Sequence, residues 1–338
     1  MNVAQRSTSV TGIGASAGYF TCDRWKIEVG GTAGRLTQTQ TADGPNGISA
    51  NCLKLDCTTA DTSIAASEYL ILTQPIEGQE LQRIAKGTSG AKKVTLSFYV
   101  KANAAFTFVA EFQDNTNARL NGKTFATTTD WVRHELTFEA DTTGAFNDNN
   151  AEGGRLNFWL HSGATYAGGT LPSGWVARSG NDVNRAAGIS SFFSNTANNF
   201  FITGVQLEVG SQSTPFEHRS FGDELARCQR YFCQVENNTG SQHYLGLMQA
   251  YTANNVFGLI RDYPATMRTT PTVGQSGTFK FSQAGSGDAG GATTIANFSG
   301  SSTGWWSGGW TGGSGLVAGY ASVINWTTGS KLTADAEL

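Results

Sequence analysis

The chain has 338 residues, enough for two domains of ordinary size, with 39% hydrophobic and only 14% charged residues. The formal net charge is −3 and no Lys/Arg cluster occurs, which argues against nucleic-acid binding through phosphate neutralisation. The 42 glycines favour short strands and turns over long helices, and no apolar run approaches the ~20 residues of a membrane helix, so no membrane insertion is expected.

Residues 1–20 are rich in Gly, Ser and Thr and have little to bury. They are expected to form an arm that needs a neighbouring subunit to become ordered, an assembly contact. No apolar stretch of signal-peptide length occurs there.

From Trp25 onward the apolar residues recur at every second position. Trp25, Ile27 and Val29 alternate with Lys26 and Glu28. Val94, Leu96, Phe98 and Val100 alternate with Thr95, Ser97 and Tyr99. The same period runs through Phe106, Phe108, Ala110 and Phe112, then Val132, His134, Leu136 and Phe138, then Leu156, Phe158 and Leu160, and finally Val205, Leu207 and Val209. A period of two predicts half-buried antiparallel strands. Gly-, Asn- and Asp-rich turns separate them. The fold class is therefore all-β: an antiparallel β-sandwich or jelly roll over 21–219, one short linking helix, and a second, smaller β-domain.

One segment has a different period. Phe221, Leu225, Cys228 and Phe232 fall at helical spacing, and Ser220 with Asp223 three residues on fits a capping box. Residues 220–236 are read as an amphipathic helical junction. Its apolar face pads the first domain or meets its copies around a symmetry axis. Residues 237–338 follow as a C-terminal β-domain with Gly/Trp-rich loops. Tyr244, Leu247, Val256, Phe257, Phe279 and Phe281 supply its strands, and 283–291 is expected to be a Gly/Ala-rich loop.

Trp305, Trp306 and Trp310 fall within six residues, and Trp326 follows. Indole faces stack on the apolar faces of sugar rings, so these residues are candidates for a glycan or receptor contact. Burial in a subunit interface is the competing reading. Asp141, Asn147, Asp148, Asn149, Asn150 and Glu152 crowd one segment without the spacing of a calcium loop, and a solvated turn is expected. The histidines are His134, His161, His218 and His243. No nucleophile elbow and no His-Glu-x-x-His helix accompanies them. His134 sits at an inward strand position and His218 is expected to make a structural hydrogen bond. Cys22, Cys52, Cys57, Cys228 and Cys233 include no Cys-x-x-Cys pair and are read as reduced, partly buried thiols. No catalytic residue, no metal ligand set and no cofactor emerges.

Three stretches carry a resemblance. Gly204-Val-Gln-Leu-Glu-Val-Gly-Ser-Gln-Ser-Thr-Pro-Phe-Glu-His-Arg-Ser-Phe221 runs on to Cys-Gln-Arg-Tyr-Phe232. The others are Ala17-Gly-Tyr-Phe-Thr-Cys-Asp-Arg-Trp25, and Tyr263-Pro-Ala-Thr-Met-Arg-Thr-Thr-Pro-Thr-Val273 with the terminal Ala334-Asp-Ala-Glu-Leu338. Together they resemble tail-fibre-like virion proteins of bacteriophages. The resemblance implies a carbohydrate-binding-module-like jelly roll followed by a distal β-domain, a virion location after assembly in a host cytoplasm, and a homotrimer. It implies partners among other virion proteins and a host surface glycan, and it carries over no catalytic residue. The extended shaft of long tail fibres has no counterpart here. The function expected is thus non-enzymatic: a structural protein for host attachment and particle assembly. Two alternatives stay open, a polysaccharide depolymerase with paired carboxylates and a head-decoration or capsid-fibre protein.

Overall fold

Alternating apolar and polar side chains give each strand one face that must leave water, and two such sheets bury those faces against each other. The computed structural model describes all residues except 242, 284–286, 293, 297–302 and 312–313; for 259, 260, 287–292, 294–296 and 305–307 it describes the backbone alone. The chain divides into two units, 1–224 with Leu338, and 225–337.

The first unit is a jelly-roll sandwich of antiparallel strands. They are β1 (Ser9–Ile13), β2 (Gly18–Tyr19), β3 (Lys26–Gly30), β4 (Arg35–Thr41), β5 (Cys52–Thr59), β6 (Tyr69–Glu77), β7 (Val94–Ala102), β8 (Thr107–Asp114), β9 (Arg119–Ala126), β10 (Val132–Phe138), β11 (Glu152–Ser162), β12 (Val176–Ala177) and β13 (Asn199–Val209). One sheet runs β1-β4-β5-β13-β7-β10 and the other β12-β9-β8-β11-β6-β3-β2. A short helix, α1 (Ala164–Ala167), follows β11.

The alternating residues meet in the core between these sheets. Leu96, Phe98 and Val100 of β7 face Phe108, Ala110 and Phe112 of β8 and Leu156, Phe158 and Leu160 of β11 in one buried cluster. Ring edges pack on ring faces, with Phe98 5.1 Å from both Phe125 and Phe158 and Phe108 5.7 Å from Phe200. Burying one such ring contributes about 1.5–3 kcal/mol.

Residues 1–20 are not a separate arm. β1 pairs with β4 and β2 pairs with β3, while Val3 is buried and Gln5 bonds Asp23. The segment has few apolar side chains, but backbone hydrogen bonds at two open sheet edges order it on its own chain.

The 220–236 junction is also revised. The helix α2 spans Phe221–Gln229, and Phe232 lies beyond it in β14 (Phe232–Glu236). Ser220 caps it as expected: its Oγ accepts the Asp223 N–H at 3.1 Å. Along the helix Phe221 is 61% exposed, Leu225 half-buried and Cys228 buried.

The second unit holds β14, β15 (His243–Ala250), β16 (Asn255–Asp262), β17 (Thr272–Ser276), β18 (Phe279–Gln283), β19 (Gly287–Ala292), β20 (Thr294–Ala296), β21 (Trp305–Thr311), β22 (Ala321–Trp326) and β23 (Lys331–Asp335). A small sheet runs β14-β23-β17 and a larger one β19-β18-β22-β15-β16-β21-β20. The Trp-rich segment is therefore a strand, not a loop, and most of 283–291 belongs to the hairpin of β18 and β19.

Candidate functional site

The same alternation that fills the core leaves the other face of β3, β6, β8 and β11 with a different set of residues. Register places Glu28, Ile71, Trp159 and Val109 in one row across the sheet. Lys26, Thr73, Asn157 and Glu111 form the next row, and Pro75, Arg155 and Gln113 the one after. On this face a cleft of about 390 Å³ is lined by Glu28, Tyr69, Ile71, Gln113, Asn115, Arg155, Asn157, Trp159, Tyr166, Arg178 and Arg185. The size and the mix of rings with convergent polar groups suit a small ligand or a stretch of oligomer.

The floor is a hydrogen-bonded network. Arg185 grips Glu111 with two bonds, Nε to Oε2 at 2.9 Å and Nη2 to Oε1 at 2.6 Å, and also reaches Gln113 Oε1 at 2.7 Å. Asn157 Nδ2 donates to Glu111 Oε1 and Gln113 Oε1 while its Oδ1 accepts from Thr73 Oγ1. Burial would push the Arg185 guanidinium down, but Glu111 and Asp182 outweigh it and hold its pKa above the ordinary value. Glu152 takes Arg155 on both oxygens and Asn115 on one. Glu28 accepts from Lys26 at 2.7 Å and lies 3.6 Å from Arg155. Polar groups this thoroughly cross-linked keep their positions before any ligand arrives.

Aromatic rings form the wall. Tyr166 on α1 stands 5.4 Å from Trp159 and 5.6 Å from Tyr69. Tyr69 and Tyr166 are half-buried and Trp159 lies beneath them, with the Arg185 guanidinium 4.8 Å over its ring. Gly30 sits opposite Tyr69, and a Cβ there would come within 2.5 Å of the tyrosine ring, so the bare glycine lets the ring lie across β3. The Trp159 indole N–H is buried and meets no acceptor among the described residues. A buried donor left unpaired costs about 1–3 kcal/mol.

The residues singled out from the sequence lie elsewhere. Trp310 is fully buried in the core of the second unit beside Phe279 and Trp326, and its N–H donates to Gln275 Oε1 at 3.0 Å. Trp326 is buried in the same cluster. These two are core residues, unavailable to a glycan or a sister subunit. Trp305 and Trp306 pair with Asp262 and Arg261 through the backbone of β21, and their side chains lie outside the described residues.

His134 behaves as expected, with Nε2 donating to the Ala126 carbonyl at 2.7 Å beside Phe98 and Phe125. His218 makes an edge-on contact with Phe216 in place of the expected hydrogen bond. The acidic segment is not simply a solvated turn: Asp141 is buried and takes Arg119 at 2.7 Å and Lys86 at 3.1 Å. Burial opposes its charge, but those cations and the Thr143 N–H prevail and hold its pKa below the ordinary value. All five cysteines are buried thiols, and desolvation pushes Cys22 up to about 12 and Cys52, Cys57 and Cys233 to about 11.

Apart from Glu28, the cleft residues give no sequence signal of their own, because the apolar partners dominate each alternation. Arg155-x-Asn157-x-Trp159 interleaves with Leu156-x-Phe158-x-Leu160, and that second set carried the signal.

No protein-family model matches the sequence, and no curated protein matches it. Among solved structures, one described as "CBM4 structure and function" aligns over 55% of this chain and 87% of its own, with 14% identity and a TM-score of 0.31. The family 11 carbohydrate-binding module of the cellulosomal cellulase Lic26A-Cel5E of Clostridium thermocellum covers 56% and 90%, with 12% identity and a TM-score of 0.30. The enzymatically active domain of bacteriophage CBA120 tailspike protein 4 aligns over 55% of this chain but 19% of its own, with 15% identity and a TM-score of 0.32. Likenesses this distant transfer no role to individual residues, and the fold stands on the strand order described above.

Proposed function

We propose that this chain is a non-catalytic glycan-binding protein that holds a saccharide in the cleft on β3, β6, β8 and β11. The observation that carries the reading is the wall of half-buried Tyr69 and Tyr166 over Trp159, beside amides and guanidinium groups held in place. Flat rings take up the apolar faces of a sugar, and fixed amides and guanidinium groups meet its hydroxyls.

The cleft carboxylates favour binding over cleavage. Glycoside hydrolysis needs one carboxyl to donate a proton and a second to act as base or nucleophile. Glu111 and Glu152 each have both oxygens engaged by arginine, and Glu28 is held by Lys26. Their occupied lone pairs suit them to orient donors.

The virion setting is part of the same proposal and rests on the sequence resemblance. The chain would serve as a tail-fibre-like homotrimer whose copies bind a host surface glycan together, each weak contact gaining from the others. A glycan array followed by calorimetry tests the central claim. A saccharide that binds the wild type saturably, and Tyr166→Ala at least tenfold more weakly, supports it. Absence of binding to any bacterial surface polysaccharide overturns it, and release of short oligosaccharides on incubation points instead to a depolymerase. Immunogold labelling of particles separates a tail from a head position.

A further inference from the structure

Several buried carboxylates of the first unit have a cation for a neighbour. Glu111 has Arg185, and Asp114 and Asp141 share Lys86, with Arg119 on Asp141 as well. Asp61 and Glu68 differ. Both are buried, at 6% and 5% exposure, and neither has a Lys or Arg ion-pair partner among the described residues. His161, which is fully buried, lies beside them, its Nε2 3.4 Å from Glu68 Oε2. Two carboxylates and an imidazole thus meet in a buried site that no lysine or arginine ion pair among the described residues neutralises.

The geometry points to a divalent transition-metal site of the zinc type formed by Asp61, Glu68 and His161. One ligand atom from each lies within 4.8 Å of the other two. His161 Nε2 is 3.4 Å from Glu68 Oε2, long for a charge-assisted hydrogen bond. Two ligands at zinc bond lengths in a tetrahedron stand about 3.3 Å apart, so this pair already has the required edge. Asp61 needs to move inward by at most roughly 1.5 Å to share that edge. An imidazole among the ligands favours zinc over calcium, which prefers oxygen alone.

The surroundings hold each ligand in place. His161 Nδ1 lies 2.8 Å from Ser191 Oγ; with the proton on Nδ1 donated to that hydroxyl, Nε2 keeps its lone pair for a metal ion shared with Glu68. Asp61 Oδ2 accepts from Thr32 Oγ1 and the Ala33 N–H, both at 2.7 Å, which pins that oxygen and leaves Oδ1 with one longer contact, from Ser63 N–H at 3.3 Å. A bulge in β11 delivers the histidine. Trp159 pairs with Ile71 and His161 with Leu70, so the slip between them turns His161 from the cleft face to the core side, against Phe193. A ladder without the slip, with Leu160 opposite Leu70 and His161 opposite Tyr69, would put the imidazole on the cleft face and dismantle the site.

The test uses the whole protein after dialysis against chelator. Zn²⁺ is expected to bind one per chain by calorimetry and to raise the melting temperature by several degrees. Co²⁺ is expected to give visible d–d bands of nitrogen and oxygen ligation without thiolate charge transfer. His161→Gln and Glu68→Gln should weaken Zn²⁺ at least tenfold, and His243→Ala should leave it unchanged. Absent d–d bands, thiolate bands, or equal affinity in His161→Gln overturns the assignment. The wild-type Co²⁺ spectrum decides by itself if the variants fail to fold.

Discussion

Trp159 and Trp310 are both sealed almost completely from solvent, yet they differ in how their single polar group is satisfied. Trp310 donates to Gln275 inside a closed core. Trp159 lies under two tyrosines at the floor of a cleft and donates to nothing among the described residues. Of the tryptophans close together in the sequence Trp310 is a core residue, whereas a single tryptophan on the polar side of an alternating strand lines the cleft. Clustering along the chain says nothing about accessibility once the cluster is a strand; parity and hydrogen-bond satisfaction do.

The strongest test of this contrast is Arg185→Ala. It strands Glu111 without a cation in a fully buried position, and a cost of about 3–5 kcal/mol is expected in urea unfolding of the first unit, with glycan binding lost. Trp310→Ala should cost a similar ~3–5 kcal/mol but only in the second unit, and binding should be unchanged. Binding lost with Trp310→Ala, and kept with Arg185→Ala, would reverse the assignment of the two regions.

Phenylalanine exchanges sharpen it. Trp310→Phe leaves Gln275 Oε1 without its indole donor, whereas Trp159→Phe removes a donor that had no acceptor. Stability should fall by about 1 kcal/mol more in the former, while binding should weaken only in the latter. The smallest effect is on acidification. The folded pKa of Asp141 is depressed, so its contribution is present above its unfolded value near pH 4 and is lost as pH falls through the folded one. Asp141→Asn should therefore flatten the acid limb of the stability curve, measured by melting temperature below pH 4.

Much of the fold was legible because a period of two has one structural meaning when it repeats in so many segments. The seven positions from Val94 to Val100 show the limit. Leu96, Phe98 and Val100 enter the core as read, but Thr95 and Ser97 are buried too, under β10 and β13 partners no local pattern names. The capping of α2 by Ser220 was readable from spacing alone, whereas its end was not: Phe232 keeps helical phase but belongs to a strand paired with β23, where its partner is Asp335. The cleft was half visible. Lys26 and Glu28 announced a charged face, but Arg185 comes from a loop and Tyr166 from the four-residue helix α1, and their meeting with β8 and β11 depends on the finished sheet. Asp61, Glu68 and His161 show no motif spacing and are joined only by tertiary structure and a one-residue slip in β11.

The pairing of β1 with β4 and of β2 with β3 has a practical corollary. A stretch of fewer than twenty residues seals one outer margin of each sheet of the sandwich. Trimming it would bare two ribbons of unmatched amides at once, each able to recruit a strand from another molecule. Shortened versions should therefore precipitate or exchange segments well before their cores lose cohesion.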